Sequence, residues 1–325
     1  MLSALCLMAL LTNAPRQLHV PTSIRSHPPL KARPASISIS PCMNEFNRLI
    51  ATKKSQASGT VILAETNEGF KEMLTNWLSF VHNVNPGLLK HAVIVGLDES
   101  SKGLETKAGN IFYDHCDGHK HTPEAQEFRS PEYNKIVFHK WVITLQALRA
   151  GANVLLSDTD VVWLKDPLSE IVNTYGKCDM ALTTDDPLSK SDPTWQNTGF
   201  AYFKSTKGTI GALDHFMEWR EEASANLTGY DDQYAWNEFF NTELFVSQDQ
   251  KDSPCKTYKG TGVVFTLAVL PASMFMDFRH WEDAQPSQRE GAYTLHYNWL
   301  SGFEKKREQM KLQGHWQVDL TTQAP

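Results

Sequence analysis

The feature that most constrains this chain is a pair of carboxylates set between two apolar segments near its middle. The segment 152–164 reads ANVLLSDTDVVWL, so one apolar run ends at Asp158 and Asp160 and another follows. Burying an unpaired carboxylate between such segments would cost several kcal/mol, so the acids must face an open cleft or hold a cation. Because side chains alternate along a strand, both acids project to one face. This pattern predicts a site for a divalent metal that binds a diphosphate.

Two other structures also contain an Asp-x-Asp sequence. A calcium loop of the EF-hand type needs Gly at its sixth position and Glu at its twelfth, where this chain has Trp163 and Ser169. The calcium loop is therefore set aside. A solvated turn after a strand remains the alternative to a metal site.

Composition excludes several classes of function. The 325 residues, 41% hydrophobic and 21% charged, suit one large domain or two small ones with a substantial core. A net charge of -6 and the absence of a dense Lys/Arg run indicate no nucleic-acid partner. Neither a Gly-x-Gly-x-x-Gly fingerprint nor a P-loop motif is present, which disfavours a nicotinamide or flavin enzyme and a P-loop kinase. A diphosphate would therefore be held by metal and side chains.

The first 57 residues are predicted to form a targeting segment and a flexible stem. An apolar run over 1–11 ends in the small residues of a signal-peptidase site, and is shorter than the roughly 20 residues that span a bilayer. The stretch 15–42 is rich in Pro, Ser and Arg and lacks acids, so it cannot build a core. We expect a location in the secretory pathway, in the Golgi lumen, with a plastid as the alternative. An ordinary disordered N-terminus is the alternative to a targeting segment. Membrane association is expected only through this segment, if it is uncleaved.

The cysteines and a glycosylation motif say little more. Cysteines at positions 6, 42, 116, 178 and 255 show no Cys-x-x-Cys pair, so at most one or two disulfides are expected. The sequon Asn226-Leu227-Thr228 would carry a glycan if the chain enters the secretory pathway, and a chance match is the alternative.

From Gly59 onward, apolar strands alternate with helical patterns. Helices are expected over 70–81 and 137–148, the second ending at Gly151. Strands are expected at 60–64, 92–97, 152–157, 180–183, 200–203, 267–270 and 293–296. This order predicts one α/β domain over 58–320, followed by a tail over 321–325. Its sheet should be mixed and mostly parallel, flanked by helices, with ligands at the carboxyl ends of the strands.

Six short motifs, taken in order, resemble the nucleotide-diphospho-sugar transferase domain of glycosyltransferase family 77, over residues 58–318. They are the strand 61–64 with Asn76-Trp77-Leu78, the strand 93–98, the segment 151–167, Asn197-Thr198-Gly199-Phe200, Asp232-Gln233, and His296-Tyr297-Asn298. The resemblance implies a GT-A fold, a UDP-sugar donor and a Mn²⁺ cofactor, with Mg²⁺ as the alternative ion. It also implies transfer with retention to a glycan or glycoprotein. Relatives of this kind transfer arabinose, xylose or galactose.

The resemblance assigns roles near the metal. His296 becomes the third metal ligand beside Asp158 and Asp160, where a lone histidine would otherwise be structural. The pattern His-x-Asn-x3-Gly-x3-Lys gives Asn298, Gly302 and Lys306 to the donor. Lys306 would meet the diphosphate as a point charge, and Lys305 could substitute for it. A solvated basic helix face is the alternative for both lysines.

Other motifs are expected around the sugar. Asn197 and Gly199 precede a strand, where an amide and a bare backbone can approach sugar hydroxyls, and a plain turn is the alternative. Asp232 and Gln233 are expected to face the sugar and to stabilise charge at its anomeric carbon. An N-cap role for one of Asp231 and Asp232 is the rival. No catalytic base can be assigned.

The nucleoside is expected near the first strand. Thr66, Asn67 and Asp98 are the candidates there, and Lys140 is a further donor contact. Contact with the sugar and a turn cap are equally open for Asp185 and Asp186. The tryptophans at 77, 141 and 163 are expected in the core. A nucleotide-sugar pyrophosphatase or nucleotidyltransferase, and a catalytically dead sugar-nucleotide-binding homologue, are the competing functions.

Overall fold

A mixed β-sheet of nine strands forms the centre of the computed structural model, which describes residues 41–56, 59–103, 111–114, 116, 121, 123–185, 195–223, 230–249, 253–260 and 262–318. All of these residues fall within one compact unit, Ile37–Pro325. Residues 1–40, the sequon at 226, Asp186 and the tail over 321–325 lie outside the described residues. Among the described residues, no helix is long and apolar enough to cross a membrane.

The N-terminal half of the chain builds the parallel part of the sheet. Its elements are α1 (Pro41–Gln56), β1 (Thr60–Thr66), α2 (Lys71–Val84), β2 (Ala92–Gly96), β3 (Ile111–Tyr113), α3 (Pro131–Arg149) and β4 (Asn153–Ser157). Strands β3, β2, β1 and β4 lie side by side and are all parallel. Residues 61–64 and 92–96 are buried, as expected of strands covered on both faces. Gly151 follows α3 with φ 81°, the left-handed conformation of a helix C-terminus.

The C-terminal half adds the antiparallel part of the sheet. Its elements are β5 (Val161–Trp163), α4 (Pro167–Tyr175), β6 (Met180–Thr184), β7 (Gln196–Phe203), α5 (Lys207–Ala223), α6 (Asp232–Glu243), β8 (Phe245–Asp249), β9 (Lys256–Gly260) and β10 (Val263–Val269). The strand order is β3-β2-β1-β4-β7-β6-β10-β9-β8. Strand β7 is antiparallel to both β4 and β6, and β9 is antiparallel to both β8 and β10.

This architecture confirms the predicted α/β domain with a mixed sheet flanked by helices. The sheet is less parallel than we expected, because the antiparallel β7 enters its middle and a β8-β9-β10 meander closes one edge. The expected strands at 60–64, 92–97, 152–157 and 180–183 are present with ends shifted by at most two residues. A disulfide joins Cys178, before β6, to Cys255, before β9.

A second, three-stranded sheet brings the end of the chain to the paired acids. It consists of β11 (Phe275–Asp277), β12 (Thr294–His296) and β5. Helices α7 (Phe278–Asp283) and α8 (Pro286–Glu290) connect β11 to β12, and α9 (Phe303–Leu312) follows β12. Strand β12 is antiparallel to β5, with His296 opposite Val161. The backbone N–H of Tyr297 donates to the carbonyl oxygen of Asp160 at 3.0 Å. The register of this small sheet therefore fixes His296 beside Asp160.

Helix α1 lies inside the range predicted to be a flexible stem. Its Phe46 and Ile50 are fully buried and belong to the same core cluster as Val61, Val93 and Phe112. The aromatic rings of Phe46 and Phe112 lie 5.1 Å apart, centroid to centroid. An apolar pair spaced by four residues forms the buried stripe of a helix, and the loose composition around it concealed this signal. We therefore place the beginning of the folded domain at or before Pro41 rather than at residue 58.

Candidate active site

The two acids and the histidine of the predicted metal site are close together. Asp158 follows β4 directly and Asp160 precedes β5, and each of Asp158, Asp160 and His296 offers a ligand atom within 4.8 Å of the others. Nε2 of His296 lies 3.3 Å from Oδ1 of Asp160. The carboxylate of Asp158 is 36% exposed, whereas Asp160 is buried. The cluster therefore has one side open to solvent.

Gly199 makes room for this cluster. It lies in β7 beside the end of β4, and its carbonyl oxygen accepts the backbone N–H of Asp158 at 2.7 Å. A Cβ atom at this position would collide with the imidazole of His296 and the carboxylate of Asp158. A residue with a side chain would therefore displace two of the three candidate ligands, which explains the glycine in Asn197-Thr198-Gly199.

Two lysines surround the carboxylates. Nζ of Lys140, which is buried on α3, lies 3.4 Å from Asp158 and 3.0 Å from Asp232. Lys306 on α9 forms an ion pair with the carboxylate of Asp160 from the other side. The lysines balance the buried negative charge, and both are cations that a bound phosphate could also contact.

These charges shift the pKa values of the cluster. Burial raises the pKa of Asp158 to about 6, although Lys140 opposes it. Burial would also raise the pKa of Asp160, but Lys306 and His296 hold it well below its usual range. Burial would lower the pKa of His296, and the neighbouring Asp160 raises it instead. Asp160 is therefore the more strongly anionic of the two carboxylates.

The donor set fits a divalent cation. Two carboxylates supply the oxygen ligands that hard cations prefer, and an imidazole suits Mn²⁺ better than Mg²⁺. The exposed side of Asp158 leaves coordination positions for phosphate oxygens. The space at Gly199 and the two balancing lysines are consistent with a site built for an ion and an anionic ligand.

Asp232 is buried and held by three donors. Its Oδ2 atom accepts from Nε1 of Trp141 at 3.1 Å and from Oγ1 of Thr198 at 2.8 Å, besides the contact with Lys140. The N-cap of α6 is Asp231, whose carboxylate accepts the backbone N–H of Tyr234. The expected N-cap role therefore belongs to Asp231, which leaves Asp232 to share Lys140 with Asp158.

The carboxylate of Asp185 accepts hydrogen bonds from three side-chain amides of the predicted site. Its carboxylate accepts from Nδ2 of Asn197 at 2.8 Å, Nε2 of Gln233 at 2.8 Å and Nδ2 of Asn298 at 2.9 Å. These amides come from β7, α6 and the segment after β12. Burial raises the pKa of Asp185, and the hydrogen bonds from Gln233 and Asn197 oppose it. The carboxylate thereby fixes which way each amide points.

The candidate nucleoside residues lie at the ends of β1 and β2, where their side chains bond the backbone of neighbouring turns and loops. The carboxylate of Asp98 accepts the backbone N–H groups of Glu68 at 2.7 Å and Ser100 at 2.9 Å, so it caps two turns. Nδ2 of Asn67 donates to the carbonyl of Glu124, and Oγ1 of Thr66 donates to the carbonyl of Asn67. Their contact with a nucleoside stays a prediction.

Gly302 lines a cleft at the N-terminus of α9. The cleft has a volume of about 620 Å³, large enough for a nucleotide-sized ligand. Its walls come from residues 68–72, Ala125 and the segment 301–307, and they carry three cations and three glutamates: Lys71, Lys305, Arg307, Glu68, Glu72 and Glu304. Gly302 has φ 88° and thus begins α9 in a conformation that few other residues adopt.

The chain matches the family described as Nucleotide-diphospho-sugar transferase over residues 87–310. It belongs to this transferase family. The matched range contains all three candidate metal ligands, Asp232, Gln233 and Lys306. The resemblance to glycosyltransferase family 77 that the motifs indicated is confirmed.

Proteins similar to this transferase family member occur in plants and in a slime mould. "Beta-arabinofuranosyltransferase RAY1" of Arabidopsis thaliana is 24% identical over 300 residues, 90% of this chain and 52% of that protein. "UDP-D-xylose:L-fucose alpha-1,3-D-xylosyltransferase" of the same plant is 24% identical, over 83% of this chain and 72% of that protein. "UDP-galactose:fucoside alpha-3-galactosyltransferase" of Dictyostelium discoideum is 19% identical, over 79% and 43%. The chain thus spans about half the length of RAY1.

Solved structures give weaker resemblances. A galactosyltransferase LgtC complex with donor and acceptor sugar analogues aligns with a TM-score of 0.48 and 14% identity, covering 82% of this chain and 98% of that one. The glycosyltransferase GlyE of Streptococcus pneumoniae aligns with a TM-score of 0.46 and 13% identity, covering 80% and 60%.

Sequence reasoning about this transferase missed two features. It left Asp185 open between a sugar contact and a turn cap, because nothing in the sequence shows that three amides converge on it. It also missed a buried cluster in which the imidazole of His139 lies 2.6 Å from both Glu65 and Asp114. The alternation of β1 could have placed Glu65 on the face of Leu63, but not opposite a histidine of α3. The tryptophans at 77, 141 and 163 are buried, as predicted.

Proposed function

We propose that this protein is a metal-dependent, retaining glycosyltransferase. It would move a pentose or a galactose from a UDP-sugar to a glycan or glycoprotein acceptor. The observation that carries the proposal is the convergence of Asp158, Asp160 and His296 within 4.8 Å, flanked by two lysines and next to Asp232 and Gln233. Family membership supports the same chemistry.

The charges of the site suit a departing diphosphate. When bound, Mn²⁺ or Mg²⁺ would act as a Lewis acid on the phosphate oxygens. Lys306, now paired with Asp160, would meet the diphosphate as a point charge from α9. Lys140 would keep the carboxylates of Asp158 and Asp232 in place through its contacts with both. Asn298 and Gly302 follow His296 on the same segment and would contact the donor.

The sugar would lie near Asp232, Gln233, Asn197 and Gly199. Gln233 donates to Asp185 through Nε2 and accepts the backbone N–H of Thr198 at 3.4 Å through Oε1, so its carbonyl oxygen has a fixed direction. That oxygen and the carboxylate of Asp232 would stabilise positive charge that develops at the anomeric carbon. Among the described residues we assign no carboxylate as a base for the acceptor, so a diphosphate oxygen would take its proton.

The identity of the donor sugar is inferred only by analogy with the relatives. Those that match this chain are named for arabinose, xylose and galactose, which differ in groups that the shape of the pocket reads. The Cys178–Cys255 disulfide agrees with an oxidising compartment, and we propose the Golgi lumen. A plastid location receives no support from these relatives.

The variant Asp160→Asn tests the metal site. An amide is a far poorer ligand for a hard cation than a carboxylate, so release of UDP from UDP-xylose, UDP-arabinose or UDP-galactose should fall at least 100-fold. Asp214→Asn is the matched control, because Asp214 lies on α5 and pairs with Arg149. Thermal unfolding checks that both variants are folded. Turnover of Asp160→Asn at the wild-type rate would contradict the metal assignment.

The products separate the competing functions. A glycosyltransferase releases UDP and consumes an acceptor, whereas a nucleotide-sugar pyrophosphatase releases UMP and a sugar phosphate. A dead homologue would be stabilised by UDP and Mn²⁺ against thermal unfolding but would release neither nucleotide. We expect UDP, and only when metal is present.

A further inference from the structure

One tryptophan of the molecule is half in solvent. The structure describes all nine tryptophans, and Trp299 is the one among them that is exposed, at 50%. Single exposed aromatic side chains are common, as at Phe128 and Phe245, so it is the backbone conformation and the neighbours of Trp299 that set this residue apart. Trp299 follows Asn298 directly, so the exposed indole adjoins the segment that carries His296.

The backbone at Trp299 is strained. Its φ is 63°, a left-handed conformation that is unfavourable for a bulky residue and that Gly or Asn adopts more easily. Gly302, three residues later, has a similar φ of 88° and has no side chain. A tryptophan at a position that suits glycine indicates that the indole itself is needed there.

Neighbouring side chains hold the indole in one orientation. Nε1 of Trp299 donates to Oδ2 of Asp277 at 3.2 Å, and the guanidinium carbon of Arg279 lies 3.2 Å from the centre of the ring. Asp277 is opposite His296 in the β11–β12 pair, so the indole is bonded to the strand that pairs with the one carrying a candidate metal ligand. One face of the ring is covered by Arg279, and the exposed area lies elsewhere on the indole.

We propose that Trp299 is the platform on which the acceptor sugar stacks. The flat C–H face of a pyranose is apolar and packs on an aromatic ring, while its hydroxyls stay hydrated or find polar partners. The guanidinium of Arg279 lies at the ring and can donate hydrogen bonds to those hydroxyls. The ligand class is therefore a pyranoside at the end of a glycan. This inference rests on the proposed function, because it assigns the binding site of the second substrate, the acceptor.

The position of Trp299 favours the acceptor over the donor. The candidate nucleoside residues Thr66 and Asn67 lie at the end of β1, and the donor sugar is expected near Asn197 and Gln233. Trp299 instead adjoins Asn298, whose amide is fixed on Asp185 beside Gln233. A sugar on the indole would thus approach the donor site from the side of the small sheet.

The test is saturation-transfer difference NMR on the full chain. The probes are a mixture of the methyl pyranosides of galactose, mannose, xylose and fucose, in the presence of UDP and Mg²⁺. We expect the C–H protons of at least one pyranoside to be saturated by the wild type and by Trp299→Phe. The signal should fall at least fivefold in Trp299→Ala and Trp299→Gly, while UDP stays saturated in every variant. Phe245→Ala is the control, because Phe245 is 62% exposed on β8 and far from His296 in the chain.

Trp299→Gly also distinguishes loss of the binding surface from loss of the fold. Glycine adopts a φ of 63° without strain, so thermal unfolding of this variant should occur no lower than that of Phe245→Ala. The proposal is overturned if the pyranoside signal persists in Trp299→Gly, if the UDP signal falls with it, or if the wild type saturates no pyranoside. If the wild type saturates a pyranoside but not the UDP in the same sample, the proposed donor is contradicted and the assignment of Trp299 stands.

Discussion

Asp185 shows how one residue can orient a site that it need not touch. Its carboxylate accepts hydrogen bonds from Asn197, Gln233 and Asn298, which come from three separate segments. An asparagine there would offer one acceptor oxygen and an amide that faces other amide donors. Gln233 would then lose its fixed direction, and its carbonyl oxygen would no longer point where charge develops in the transition state.

We therefore expect Asp185→Asn to lower kcat at least tenfold and the free energy of unfolding by about 1–3 kcal/mol. Asp179→Asn is the matched control, because Asp179 also accepts three hydrogen bonds, from Thr206 and Thr266, but at the other end of β6. Urea unfolding and steady-state kinetics measure both effects. Equal losses of kcat in the two variants would mean that Asp185 acts only through stability.

The residues of the site differ in how far the sequence predicts them. Asp158 and Asp160 follow from alternation along a strand, since an apolar run leaves few places for two acids. His296 and Lys306 could be assigned only through the family pattern, because they lie more than a hundred residues away in the chain. Nothing local predicts Asp185, whose partners meet through the packing of β6, β7 and α6.

At the scale of elements, a buried ion cluster pins α3 to the sheet. The imidazole of His139 lies between the carboxylates of Glu65, at the end of β1, and Asp114, after β3. Lys140 is the next residue of α3, so the cluster also fixes the position of that lysine. Burial alone would lower the pKa of His139, but Glu65 and Asp114 raise it to about 10.

The cluster predicts a dependence of stability on pH. Because the folded pKa of His139 lies above its ordinary value of 6.5, its charge stabilises the fold fully below about pH 6.5. This contribution is lost as the pH rises toward 10, with a slope of at most about 1.4 kcal/mol per pH unit. The free energy of unfolding should therefore decline less steeply from pH 6.5 to 10 in His139→Gln than in the wild type.

The control for this prediction is His82→Gln, because His82 is exposed on α2. Urea unfolding at several pH values gives the two slopes. If His139→Gln and the wild type lose stability in parallel across this range, His139 does not carry the charge that we assign to it.

The segment from β12 to α9 should respond to the donor as one element. It carries His296, Asn298, Gly302 and Lys306, and it is joined to the paired acids by the Lys306–Asp160 ion pair. Metal and UDP would add contacts at several of these positions, so hydrogen exchange over residues 296–306 should slow by at least tenfold. Exchange in α5, which lies outside the site, serves as the internal reference. Unchanged exchange over 296–306 would contradict the coupling of this segment to the donor.

At the scale of the whole molecule, a disulfide closes a long loop. It joins Cys178 and Cys255, which are separated by 77 residues and frame β6, β7, α5, α6 and β8. We expect the double variant Cys178→Ala/Cys255→Ala to lose about 2–4 kcal/mol in free energy of unfolding. A reductant should destabilise the wild type under denaturing conditions more than this variant. Equal stability of the two proteins would show that the bridge does not constrain the fold.

The sequence predicts the parallel half of the fold better than the rest. Strands β1, β2, β4 and β6 are buried apolar runs bounded by polar residues, which period and composition reveal. Strands β8 and β9 carry Ser, Gln, Lys and Thr, so they lack that signal and form because β10 provides an edge. In the small sheet, β12 corresponds to the strand expected at 293–296, whereas β5 and β11 have three residues each and are defined by their pairing with β12.

The central claim is that these residues transfer a sugar from a UDP-sugar with retention and with the help of a metal. Proton NMR of the first product formed tests it most directly, with UDP-α-D-xylose or UDP-α-D-galactose as donor, Mg²⁺ as the diamagnetic ion, and a glycan acceptor. The account predicts an α-linked product that appears with metal and not with a chelator present. A β-linked product would contradict it, because inversion requires a base on the acceptor side that Asp232 and Gln233 do not provide.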